Sequence, residues 1–195
     1  TPFTPDVAGL VPQEMFYGRT DERDRVVDMM GPCIVYGGRQ LGKSALLRAA
    51  ARDFEDGGAR YAIYQSIYKV GQATPVDAVW TTLWPRLADK GIVPRDLPSG
   101  DIAEELTNRV SAWIGGRSGR QLLLLLDESD SFLDADATDG KFAHVTRFKD
   151  LMESTGRAVK VVFAGLHQPA RFERLANPPL AHFGDPVCVG PLAPQ

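Results

Sequence analysis

The stretch Gly37-Gly38-Arg39-Gln40-Leu41-Gly42-Lys43-Ser44 constrains this chain more than any other, because it matches glycine, four residues, glycine, lysine, serine or threonine in full. Before it, Cys33-Ile34-Val35-Tyr36 is a short apolar run that suits a buried parallel strand. After it, Lys43 to Phe54 carries Leu46, Leu47 and four alanines and reads as a helix that Gly57-Gly58 ends. Strand, glycine loop and helix N-terminus aim main-chain N–H groups and the positive end of a helix at one point, which is what a phosphate chain requires. Glycines permit the tight wrap. Lys43 adds a point charge for β- and γ-phosphates, and the Ser44 hydroxyl is expected to ligate Mg²⁺. The expected phosphate-binding set is Gly37, Gly38, Arg39, Gln40, Leu41, Gly42, Lys43, Ser44 and Ala45. Whether Arg39 faces phosphate or solvent stays open from sequence.

A second acidic feature fits the same chemistry. Leu122 to Leu126 is five leucines in a row and leads straight into Asp127-Glu128. Such a run suits a strand buried on both faces, expected beside the loop strand, with Asp127 at its end holding Mg²⁺ through water. Glu128 is then placed to polarise an attacking water as general base, with Lys43 as its catalytic companion. A solvated turn with ordinary acids is the plain alternative, and the phosphate loop upstream favours the catalytic one. No N-K-x-D guanine string occurs, so ATP is favoured over GTP. Asp130, Asp134, Asp136 and Asp139 read as a solvated acidic loop.

The remaining elements alternate. Thr20 offers an N-cap for a helix with Asp21 and Glu22 in its first turn, stopped by Gly31-Pro32. Arg60 to Tyr68 suits a second strand. Thr74-Pro75 reads as cap and first helical position of a helix reaching Lys90-Gly91, which Pro85 should kink or split. Asp101 caps the next helix, to about Gly115. Lys141 to Ser154 is a helix, Val159 to Ala164 a strand, Ala170 to Leu175 a short helix and Pro186 to Val189 a last short strand. Strands alternating with helices predict an α/β fold with a parallel sheet covered on both faces.

Taken together, these features resemble the AAA+ and STAND ATPases, in particular the branch near origin-recognition-type initiators and prokaryotic signal-transduction ATPases. Phe16-Tyr17-Gly18-Arg19 with Asp21-Glu22 resembles the box that precedes their first strand, Tyr36 to Leu47 their extended P-loop, and Leu126 to Asp130 their second acidic motif. Val161 to Gly165 followed by His167-Gln168 sits where they place a polar sensor, and Gly190-Pro191-Leu192 is similar to the turn into their helical lid. The resemblance implies a three-layer P-loop NTPase fold with a five-stranded parallel sheet in order 5-1-4-3-2. It implies an extended lead-in over 1–19 whose Phe16, Tyr17 and Gly18 line adenine, and an ATPase core over 20–195 cut before its lid. Phe16 and Tyr17 packing the lead-in on the sheet is the alternative. His167 or Gln168 would be the sensor, and an ordinary surface histidine is the alternative for His167. One departure stands out: Leu180 to Gly184 lacks the arginine that many members place before the fifth strand.

The implied activity is slow Mg-dependent hydrolysis of ATP to ADP by one module of a larger cytoplasmic regulatory or motor protein, with further domains beyond residue 195. Self-association stays open. A non-hydrolysing nucleotide switch and a DNA-associated initiator-like domain are the rival readings. The net charge of −3 indicates no nucleic-acid surface for the domain as a whole. A small-molecule phosphotransferase fits less well, since an Asp-Glu pair suits water attack. No apolar run reaches the roughly 20 residues of a membrane span, and Thr1 to Pro5 reads as a processed terminus rather than a leader. Two cysteines, Cys33 and Cys188, are expected as neighbouring buried thiols if the first and last strands pair. Three dispersed histidines give no zinc spacing, and Trp80, Trp84 and Trp113 read as core.

Overall fold

The computed structural model describes residues 19–138, 141–166 and 183–191. Five strands, β1 (Ile34–Tyr36), β2 (Arg60–Ser66), β3 (Gln121–Asp127), β4 (Val159–Gly165) and β5 (Val187–Cys188), pair in parallel in the order β2-β3-β4-β1-β5. This is the expected order 5-1-4-3-2 read from the other edge. Six helices accompany them among the described residues: α1 (Thr20–Val27), α2 (Lys43–Phe54), α3 (Ala78–Asp89), α4 (Ile102–Gly115), α5 (Asp130–Asp136) and α6 (Ala143–Ser154).

The strand period explains the layering. Successive side chains of a strand point to opposite faces, so the leucine run divides. Leu122, Leu124 and Leu126 join Ile63, Val161 and Phe163 under α3, α4, α5 and α6, through Trp80, Leu83, Leu106, Phe132 and Phe148. Leu123 and Leu125 join Val35, Ala62 and Val162 under α1 and α2, through Val26, Leu46, Leu47 and Phe54. Helices therefore cover both faces, and the sheet is the middle of three layers. Trp80 and Trp84 are buried and Trp113 packs edge-on against Tyr61, as core residues should.

A lysine is built into this core. Lys160 on β4 is fully buried on the α1 face. Its Nζ donates to the carbonyls of Arg25 at 3.1 Å, Val26 at 2.8 Å and Asp28 at 2.6 Å, satisfying the open C-terminal carbonyls of α1. Burial pulls its ammonium pKa down to about 8.

Several local expectations are corrected. Arg19, not Thr20, is the N-cap of α1. Thr74 closes a turn onto the Lys69 carbonyl instead of capping α3, whose regular turns begin at Ala78. Pro85 neither splits nor ends α3: Pro85 and Thr81, the residue whose carbonyl it leaves without a helical donor, are both exposed, while Leu83, Trp84 and Leu87 anchor the helix on either side. The acidic run is not a solvated loop up to Asp136. Asp130 to Asp136 is helical, and buried Asp136 accepts from the backbone N–H of His144 and Val145 at the start of α6. The cysteines are not buried neighbours. Cys188 is exposed and stands opposite Tyr36, whereas Cys33 is buried before β1 begins. Finally, β4 stands between β1 and β3, so the leucine strand is not beside the loop strand. Phe16, Tyr17, Gly18, His167, Gln168 and the helix expected over 170–175 lie outside the described residues. Among the described residues no helix is long and apolar enough to cross a membrane.

Two close fits are testable by urea unfolding. Lys160→Met should remove this donor from the Arg25 and Val26 carbonyls and leave the Asp28 carbonyl with Gly31 N–H alone, at a cost of about 1–3 kcal/mol that shifts the midpoint at unchanged slope. A Cβ on Gly37 would lie 2.3 Å from the Val189 carbonyl oxygen. Gly37→Ala should therefore force β5 from the loop and cost about 1–3 kcal/mol; a midpoint equal to wild type would show that the loop and β5 separate freely.

Candidate functional site

The open α/β sheet brings the carboxyl ends of β1, β2, β3 and β4 to one edge, where ligand sites of such sheets form. The glycine-rich stretch leaves β1 there. Gly37 passes against the end of β5, and Val189 N–H bonds the Tyr36 carbonyl at 2.7 Å. Gln40 and Gly42 have positive φ, 60° and 83°, so the chain doubles back before α2 starts at Lys43. Gly42 fits its position because glycine enters the left-handed region without strain. Arg19, 6% exposed, donates to the carbonyls of Leu41 at 2.9 Å and Gly190 at 2.7 Å and pairs with Glu22. The loop is thus clamped to the segment after β5 by a residue preceding α1.

Lys43 Nζ donates to the carbonyls of Gly37 and Gly38, both at 2.7 Å. Burial lowers its pKa, and the charges of Asp127, Asp130 and Glu128 oppose that shift. The ammonium and three carboxylates therefore share one electrostatic neighbourhood, although they come from α2, β3 and the start of α5.

Asp127 ends β3 on the face that also carries Leu123 and Leu125, under α2. It is 2% exposed. One carboxylate oxygen accepts from the Tyr64 hydroxyl at 2.7 Å and the other from Glu128 N–H at 2.9 Å. Burial, followed by the bond to Asp127 and its charge, pushes the Tyr64 phenol up to about 12, with Ser44 and Arg48 opposing. The phenol is therefore a donor throughout the neutral range. Glu128 follows in the left-handed region, φ 55°, and is exposed. A non-glycine residue so placed is uncommon and collects at functional sites. Ser129 then fixes the turn by donating its N–H and its hydroxyl to the Ala164 carbonyl of β4. Ser66, the last residue of β2, donates its hydroxyl to Glu128. Asp130 accepts from Leu166 N–H at 2.7 Å and ties the end of β4 to α5.

A cavity of about 960 Å³ opens at this edge. Arg39, Lys43, Ser44, Arg48, Asp127 and Glu128 all contribute to its wall. Arg39 therefore belongs to the mouth of the site, which sequence left open. Gln40, Gly42 and Ala45 also line it. Gly37 is buried beneath the loop, and Gly38 and Leu41 lie beside the cavity residues in the same turn.

The oxygens present suit a hard divalent cation. Mg²⁺ is held by one or two protein oxygens with waters and substrate phosphates making up the rest, and the Ser44 hydroxyl with the buried Asp127 carboxylate supplies such a pair. No cluster of three or more His, Cys, Asp or Glu able to hold a metal by itself occurs among the described residues, as a cation held largely by phosphate would not need one.

Sequence reasoning missed Tyr64, Ser66 and Arg48, and assigned Asp130 to a loop. The available signal was positional: Tyr64 and Ser66 fall at the carboxyl end of β2, and Ser66 stands in register with Asp127. No motif marks them.

No family model matches the chain, and no curated protein does. Solved structures do. The Aeropyrum pernix ORC1 protein, solved in complex with DNA, superposes with a TM-score of 0.61 at 16% identity, over 95% of this chain and 47% of that one. The Aeropyrum pernix ORC2 protein, solved in ADPNP–ADP complexes, superposes with a TM-score of 0.61 at 15% identity, over 93% of this chain and 50% of that one. The chain spans about half the length of these solved structures, and over that half it has their fold.

Proposed function

We propose that this domain binds MgATP and hydrolyses it to ADP. The observation that carries the reading is the meeting of Lys43 and Ser44, from the start of α2, with Asp127 and Glu128, from the end of β3, on the wall of one cavity. These are distant in sequence, and their chemistry is complementary to a triphosphate with its metal. The loop N–H groups and Lys43 hold the phosphates. Lys43 exchanges its two carbonyl partners for phosphate oxygens, a stronger charge-assisted interaction. Ser44 and Asp127 hold Mg²⁺, which, when bound, neutralises developing charge on the phosphates. Glu128 takes the proton of the attacking water, and its turn aims the carboxylate out of the strand end into the cavity. A bound ADPNP in the ORC2 relative fits this assignment.

Phe16, Tyr17 and Gly18 in the 1–19 lead-in line adenine, and His167 or Gln168, in the segment following β4, senses the γ-phosphate. The core over 20–195 serves as the ATPase module of a larger cytoplasmic protein whose further domains respond to its nucleotide state. A non-hydrolysing switch is the second reading, favoured by one observation: the Ser66 hydroxyl already engages Glu128.

Two substitutions separate these. Lys43→Ala should weaken MgATP binding about ten- to a hundredfold, the worth of a charge-assisted contact; calorimetric titration with unchanged affinity would end the phosphate-loop reading. Glu128→Gln should keep nucleotide affinity and slow single-turnover hydrolysis by about 10²–10⁴. A wild-type rate no faster than the Gln variant would favour the switch.

A further inference from the structure

We propose that Tyr64 is a positioning residue that fixes the Asp127 carboxylate toward Ser44 and thereby sets the contribution of Mg²⁺ to nucleotide binding. The inference rests on the MgATP reading given above and deepens it.

Tyr64 lies on β2 in register with Leu125, so its ring sits on the sheet face beneath α2 while its hydroxyl reaches forward to the end of β3. There it donates to one oxygen of Asp127 at 2.7 Å. The ring is held from above by α2. The Arg48 guanidinium stands 4.8 Å from the ring centroid, and Ser44, one helical turn before Arg48, presents its hydroxyl to the same phenol. A single side chain from the edge strand therefore touches both residues assigned to the cation, and neither the P-loop pattern nor the Asp-Glu pair contains it.

The physical reason for such a contact is rotamer control. A carboxylate at a strand end has a soft, nearly two-fold terminal torsion. Mg²⁺ demands near-octahedral geometry and tolerates little misplacement of its outer acceptors. With one oxygen fixed by Tyr64 and the other by Glu128 N–H at 2.9 Å, the plane of the Asp127 carboxylate is set before any cation arrives. Each oxygen keeps a further lone pair for metal-bound water. Outer groups that orient a metal's ligands in this way carry a measurable part of metal affinity.

The test uses the whole chain and a fluorescent ATP analogue, titrated once in excess Mg²⁺ and once in EDTA. The ratio of the two affinities is the Mg²⁺ contribution. Tyr64→Phe, which keeps the ring and removes only the hydroxyl, should reduce that ratio about tenfold and leave the affinity in EDTA as in wild type. Tyr61→Phe, the same change three residues earlier on the same strand but on the opposite sheet face against Trp113, should leave the ratio alone. An unchanged or increased ratio for Tyr64→Phe overturns the inference, as does an equal fall in both variants or a loss of affinity in EDTA, either of which would mark a general loosening of β2. Wild-type protein that binds the analogue in neither buffer would instead overturn the MgATP reading itself.

Discussion

Burial of β3 on both faces is the constraint from which the rest follows. Leu122 to Leu126 are all fully buried, and they alternate between two separate cores. Such a strand has no solvated side, so it must lie inside the sheet with helices above and below. Its first charged residues can appear only where it leaves the sheet. Asp127 and Glu128 are thus delivered to the same edge as the glycine loop, although β4 separates their strand from β1.

That arrangement makes the edge a place where polar groups are held by one another. The Lys43 ammonium rests on two loop carbonyls, Asp127 is tied by Tyr64 and its own neighbour, and Ser66 holds Glu128. Among the described residues no buried side-chain nitrogen or oxygen lacks a partner. Preorganisation of this kind lowers the reorganisation needed when a charged ligand replaces the internal partners. The clamp made by Arg19 works at the opposite side of the loop, linking it to Gly190. A change at the loop is therefore mechanically connected to the segment that follows β5.

Much of the fold was legible in the sequence because its signals are periodic and local. The leucine run, the glycine loop and the alternation of strands and helices gave the layers, and resemblance supplied the strand order. Where local rules failed, tertiary packing had overridden them. Pro85 sits inside α3 because it and Thr81, whose carbonyl it leaves without a helical donor, are exposed, and the buried neighbours anchor the helix on either side. The run of acids became α5 because Asp130 and Asp136 find backbone N–H donors on other elements, at Leu166, His144 and Val145. Cys33 and Cys188 were expected side by side, yet register is set residue by residue, and a shift of three along a strand separates them.

By itself the sequence determined the glycine loop, the acid pair and the class of fold, since each depends on residue type at fixed spacing along one or two neighbouring elements. Only the tertiary structure decided that Tyr64, Ser66, Arg48 and Arg19 join them. These four act through contacts from one element onto another, from Arg48 on Tyr64 to Arg19 on Leu41 and Gly190. A hydrogen bond between the ends of two parallel strands leaves no trace in the spacing of either. It arises when parallel pairing aligns β2 with β3 and puts Ser66 opposite Asp127.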